Sequence, residues 1–136
     1  MRSSEYELGA FNTTEKPTLM IVDDEQNFAE SLRMAIEDTF TVSVAVSLER
    51  ARQILKNGVP DVILLDLRLP DGYGVELLNE LEGYSRLPIV IVMTAFATVD
   101  SFIRTQQGGA VDYFNKPLDI AELKRVIKIE LKRRAS

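Results

Sequence analysis

Val62-Ile63-Leu64-Leu65-Asp66 runs four aliphatic residues into an acid, and Leu67-Arg68-Leu69-Pro70-Asp71-Gly72 follows at once. An unbroken apolar row of this length reads as a strand buried on both faces. An acid closing such a strand is costly unless it has a partner. Three other runs have the same form. Leu19-Met20-Ile21-Val22 ends in Asp23 and Asp24, Ile89-Val90-Ile91-Val92-Met93 ends in Thr94, and Tyr113-Phe114-Asn115 ends in Lys116. Parallel sheets bind ligands at the C-terminal ends of their strands. If these runs are neighbouring parallel strands, three carboxylates, a hydroxyl and an ammonium meet in one crevice. Carboxylates held that close repel unless a cation joins them, and Mg²⁺ suits all-oxygen ligands beside phosphate chemistry. The pattern reads as a divalent-metal site around a phosphorylatable carboxylate.

The intervening segments have helical spacing. Phe28, Leu32, Ala35 and Ile36 follow the first run, and a second strand alternates Val42, Val44 and Val46. Ser47 can cap a helix carrying Ala51, Ile54 and Leu55, with Gly58 at a left-handed C-terminal position and Pro60 preventing continuation. Val75, Leu77, Leu78 and Leu81 mark a third helix. A fourth, 99–107, is the weakest, because Gln106, Gln107, Gly108 and Gly109 lower its propensity and interrupt its apolar face. The fifth strand spans 111–115, and a last helix over 119–134 sets Ile120, Leu123, Ile127 and Leu131 on one side. Five strand–helix units in alternation predict a parallel sheet covered by helices on both faces.

Composition narrows the chemistry. A length of 136 residues allows one domain with a real core. Residues 1–17 show no clear period and read as a flexible arm or a cloning remnant, leaving 18–136 as the folded unit. Sixteen Lys and Arg against 21 Asp and Glu give a net charge of −5, which argues against direct nucleic-acid binding. Without cysteine or histidine there is no thiolate, no sulfur-ligated metal and no imidazole base. No apolar stretch reaches the roughly 20 residues of a membrane span, and the N-terminus lacks the core of a signal peptide. The chain is read as cytoplasmic and soluble.

From Thr18 to about Arg134 the ordered set Val22-Asp23-Asp24-Glu25, Asp66 to Gly72, Met93-Thr94-Ala95 and Asp112-Tyr113-Phe114-Asn115-Lys116-Pro117-Leu118 resembles the receiver domain of bacterial two-component response regulators. The context of Thr94-Ala95-Phe96 and Asp112-Tyr113 looks most like receivers of enhancer-binding transcription activators. The resemblance implies a flavodoxin-like (βα)5 doubly wound sheet of strand order 2-1-3-4-5, the arrangement that flavodoxin and receiver domains share. It also implies that Asp66 is the phosphoacceptor and that Mg²⁺ is held by Asp23, Asp24, Asp66 and the backbone carbonyl of Arg68. Thr94 and Lys116 match the pair that holds the phosphoryl oxygens, and Thr94 with Tyr113 the switch. Pro117 matches a proline preceded by a cis bond, which would aim Lys116 into the site. The implied partners are a sensor histidine kinase, since no histidine lies in this chain, and a phosphorylation-dependent homodimer through the fourth helix, fifth strand and fifth helix. An effector domain for transcription is absent from this chain, and neither nucleic acid nor membrane is contacted directly.

Other readings carry less. Asp23 and Asp24 alone suit a helix start, where carboxylates offset the macrodipole. Gly72 and Gly74 are read as turn residues, because no Lys-Ser or Lys-Thr follows to make a phosphate loop. A haloacid-dehalogenase-like phosphatase needs a second acid two residues after its nucleophile, and Arg68 stands there. A phosphorylation-independent module of the same fold has no use for the intact acid cluster. Arg68 and Phe96 are expected to flank the acceptor.

Overall fold

A computed structural model describes residues 15–135 of the chain. Of the expected arm, residues 1–14 lie outside the described residues, while Lys16 Nζ donates to the Glu37 carbonyl and the Pro17 carbonyl accepts from Thr41 N. The elements are β1 (Thr18–Val22), α1 (Gln26–Ile36), β2 (Thr41–Ala45), α2 (Leu48–Lys56) and β3 (Val62–Asp66). A short ribbon of β4 (Arg68–Leu69) and β5 (Gly72–Tyr73) leads into α3 (Gly74–Leu81). Then come β6 (Ile89–Thr94), α4 (Val99–Gln107), β7 (Asp112–Asn115) and α5 (Ile120–Ala135).

The five long strands form one parallel sheet in the order β2-β1-β3-β6-β7. Leaving out the ribbon, this is the flavodoxin-like order 2-1-3-4-5. The ribbon itself is not expected from the sequence, because two-residue strands carry no periodicity to detect. Successive side chains of a strand point to opposite faces, so each buried strand feeds two cores. Leu19, Ile21, Val62, Leu64, Ile89, Ile91 and Met93 pack with α1 and α5. Met20, Val22, Ile63, Leu65, Val90 and Val92 pack with α2 and α3.

Local chemistry fixes the connections. Ser47 caps α2 by accepting from Arg50 N at 3.0 Å, as its position predicts. A second, tertiary cap comes from Asp71, whose two carboxylate oxygens accept from Leu48 N and Glu49 N at 2.9 Å each. These hydrogen bonds hold the Asp71 carboxyl below the usual range. The hairpin that follows Asp66 is thereby fastened to the start of α2. Gly58 has the expected positive φ, at +147°. Asp119 precedes α5 and accepts from Glu122 N at 3.1 Å, so the helix begins at Ile120. Among the described residues, no helix is long and apolar enough to cross a membrane.

Candidate phosphoacceptor and metal site

Strand parity decides which groups share the crevice. Asp66 continues the row of Val62 and Leu64, and Asp23 continues that of Leu19 and Ile21, so both acids belong to the sheet face covered by α1 and α5. Asp23 is fully buried, Asp66 is 8 % exposed and Asp24 lies at the surface. Carboxylate oxygens of the three lie within 4.8 Å of one another. Asp23 also accepts from Glu25 N at 2.9 Å, while Glu25 occupies the cap position of α1, so the acid pair does not simply begin the helix.

Lys116 follows β7 directly, and the Lys116–Pro117 peptide is cis. Its Nζ donates to Asp23 Oδ2 at 2.6 Å and to Asp66 Oδ2 at 3.1 Å. The same ammonium lies 4.2 Å from the centroid of the Phe28 ring. Burial pushes the Asp66 carboxyl above its usual range, and the Lys116 hydrogen bond only partly offsets this. Burial also opposes the Lys116 charge, yet hydrogen bonds to the two carboxylates outweigh it and raise its pKa above the ordinary lysine value. A buried acid pair sharing one ammonium has oxygen donors for a hard dication, which matches the donor set expected for Mg²⁺.

Thr94 and Tyr113 belong to the other face. Thr94 shares parity with Val90 and Val92, and Tyr113 packs against the same core. The Thr94 hydroxyl, 1 % exposed as a residue, accepts from Phe96 N at 3.1 Å. Tyr113 is half-buried, its ring edge-on to Phe102 with centroids 5.5 Å apart. Its hydroxyl lies 2.7 Å from Ser101 Oγ. Ser101 in turn completes the capping box of α4 with Thr98. Arg68 stacks its guanidinium over Phe96 at 4.5 Å, and both line an open groove of about 350 Å³.

All the expected side chains thus lie at the C-terminal edge of the sheet, but in two sets. Three further contributors emerge only from the folded chain. In sequence Phe28 is one more core position of α1, although its place four residues after Asp24 puts it one turn above the acids. Ser101 carries no signal beyond its place in the weakest helix. Gly74 has the look of a turn residue, yet a Cβ there would meet the Asp66 carbonyl at 2.4 Å, so glycine is what lets α3 start against the end of β3.

The model of the response regulator receiver domain family matches residues 19–128. The chain is 38% identical over 119 residues to the KDP operon transcriptional regulatory protein KdpE of Escherichia coli K12, covering 87% of this chain and 52% of that protein. It is 37% identical over 118 residues to the DNA-binding transcriptional regulator NtrC of Proteus hauseri, covering 84% of this chain and 24% of that protein. The chain therefore spans about half or less of these relatives. Its fold is similar to the solution structure of the beryllofluoride-activated NtrC4 receiver domain dimer, with a TM-score of 0.79, 28% identity, and coverage of 85% of this chain and 97% of that one.

Proposed function

Because the chain belongs to the response regulator receiver domain family, we propose that Asp66 accepts a phosphoryl group from a phosphohistidine of a sensor histidine kinase and that the product changes what the domain associates with. Receiver domains are signalling domains, not conventional enzymes. The observation that carries the proposal is the Lys116 ammonium shared by two buried aspartates, one of which closes the central strand.

Asp66 Oδ attacks phosphorus, the bond from phosphorus to the donor nitrogen breaks, and the donor imidazole leaves with that electron pair. Asp23, Asp24, Asp66 and the Arg68 backbone carbonyl would hold Mg²⁺, which supplies positive charge against the equatorial phosphoryl oxygens. Lys116, beside Asp66 Oδ2, would supply further positive charge. Thr94, whose hydroxyl oxygen accepts from Phe96 N, then turns to donate its proton to the new oxygens, whose charge makes them strong acceptors. That movement frees space beside Tyr113 and couples the acceptor to α4. Coupling of this kind is worth about 1–3 kcal/mol, enough to shift an association equilibrium without refolding anything. Hydrolysis of the acyl phosphate resets the domain slowly.

The relatives' names support transcription control through an effector domain beyond this chain, and the NtrC4 dimer supports a phosphorylation-dependent homodimer. Such a dimer would use α4, β7 and α5. Glu122 already pairs with Arg125, and Lys124 with Asp38, so contacts across a two-fold axis exchange existing ion pairs and contribute register more than affinity. A kinase-fed domain of this type works in the cytoplasm.

Incubation with acetyl phosphate and Mg²⁺ followed by intact-mass measurement tests the assignment. The wild-type protein should gain one labile phosphoryl group and Asp66→Asn none. An Asp66→Asn protein modified at the wild-type rate removes Asp66 from its role.

A further inference from the structure

Among the described residues the Lys116 ammonium touches three groups: Asp23 at 2.6 Å, Asp66 at 3.1 Å and the face of Phe28 at 4.2 Å. Two of these are carboxylates that the metal reading also requires. Once they are committed to a dication, Lys116 loses the anions that hold it and faces a like charge. The ring contact is different in kind. An aromatic face attracts a cation through its quadrupole and gives up nothing when the carboxylates are taken.

The ring is also the fixed member of the pair. Phe28 stands in the first turn of α1, a helix anchored by buried Ala29, Leu32 and Ile36. Lys116 carries its charge on a flexible four-carbon stem. Its side chain is only 11 % exposed, so little water is available to replace a lost partner.

We infer that Phe28 is a positioning residue whose ring keeps the Lys116 ammonium beside Asp66 once Asp23 is committed to the metal ion. This rests on the reading of Asp66 as a metal-assisted phosphoacceptor and deepens it. Phe28 touches neither the phosphoryl group nor the metal; it acts through Lys116. Packing alone would make it a core residue with no influence on metal affinity.

Two measurements on the intact chain decide the matter. In metal-free protein the ring current of Phe28 should shift the Lys116 ε-methylene protons upfield, and the shift should survive Asp23→Asn but disappear in Phe28→Leu. Its loss in Asp23→Asn would overturn the inference, because the ammonium would then lie on the ring only through Asp23. Calorimetric titration with Mg²⁺ supplies the second test. Phe28→Leu should weaken binding by a factor below the roughly two- to thirty-fold that one whole cation–π contact is worth, because the contact exists without metal and only becomes the ammonium's main remaining support once the carboxylates are taken. Phe28→Tyr should restore the wild-type affinity, and Phe28→Leu should have no effect in a Lys116→Met background. Equal affinity in wild type and Phe28→Leu, or an undiminished loss without Lys116, would overturn the positioning role and leave the phosphoacceptor reading intact. A wild-type protein that neither binds Mg²⁺ nor gains a phosphoryl group would remove that reading, while the proton shifts would still report where Lys116 lies.

Discussion

On the face of the sheet covered by α1 and α5, Asp23, Asp66 and Lys116 are joined by charged hydrogen bonds of 2.6 and 3.1 Å and roofed by an aromatic ring. On the opposite face, the side chains of Thr94 and Tyr113 hydrogen-bond a nearby amide and a serine hydroxyl, beneath a helix that buries little. The packing follows the same division. Helix α1 buries Ala29, Leu32 and Ile36, and α5 buries Leu123 and Ile127. Helix α4 buries only Thr105, whose hydroxyl donates back to Phe102 O, and exposes Val99, Phe102 and Ile103. In the proposed function, chemistry that needs fixed geometry falls where the chain is held by long-range apolar contacts. The proposed response, which must move cheaply, falls where few such contacts oppose it.

Substitutions can break this contrast, and the largest effect is expected on the held face. Leu64 is fully buried between the acids' strand and α1, so Leu64→Ala should cost about 2–5 kcal/mol by denaturant unfolding. A loss as small as that of a surface substitution would mean that this core is not what holds the site.

The next effect is a pH dependence that belongs to the acid cluster. The folded pKa of Asp66 is raised by burial, so folding favours its protonated form. Its contribution to stability should therefore fall as pH rises from about 4, the ordinary Asp value, through the raised folded value. The raised pKa of Lys116 adds stability that is present below the ordinary lysine value and lost only as pH rises through the higher folded one, so it does not cancel the trend. Unfolding curves of wild type and Asp66→Asn at matched pH should show the wild type losing ground across that window. A constant difference would place Asp66 in a solvated environment, and a trend of opposite sign would mean that the Lys116 interaction outweighs burial.

Smaller changes are expected around α4. Ser101→Ala removes the partner of the Tyr113 hydroxyl and half of the capping box, a loss of about 0.5–1.5 kcal/mol. Combined with Tyr113→Phe, the two losses should not add, because both remove the same hydrogen bond. Additivity would show that the pair does not couple. Val99, 77 % exposed, marks the lower limit: Val99→Ala should change stability by no more than about 0.5 kcal/mol. A larger cost would reveal α4 as better held than its packing implies.

How much of this is legible in the sequence differs between the two faces. Continuous apolar strands ending in Asp23, Asp66 and Thr94 announce the sheet and its candidate functional edge, because burial on both faces leaves no room for polar residues until the strand ends. The bounds of α4, Val99–Gln107, match the range read from the sequence, where the glycines at 108 and 109 mark the end of even a weak helix. The division of the site between two faces is a finding of the structure, although strand parity contains it. The capping of α2 by Asp71 and the bond from Ser101 to Tyr113 join residues 23 and 12 positions apart, and no local pattern records a contact made by tertiary packing. Phe28 is apolar and helical in sequence and in structure alike, but its second neighbour, an ammonium from residue 116, becomes visible only when the chain is folded.

The most direct test of the contrast is amide hydrogen exchange on the wild-type protein in Mg²⁺, with and without beryllofluoride as a phosphoryl mimic. The change in protection should concentrate in residues 94–115, covering the end of β6, α4 and β7, while the amides of β1 and β3 keep their rates. Changes spread equally through α1 and α2, or none at all with the mimic bound, would contradict a fixed acid cluster that acts on a loosely held face.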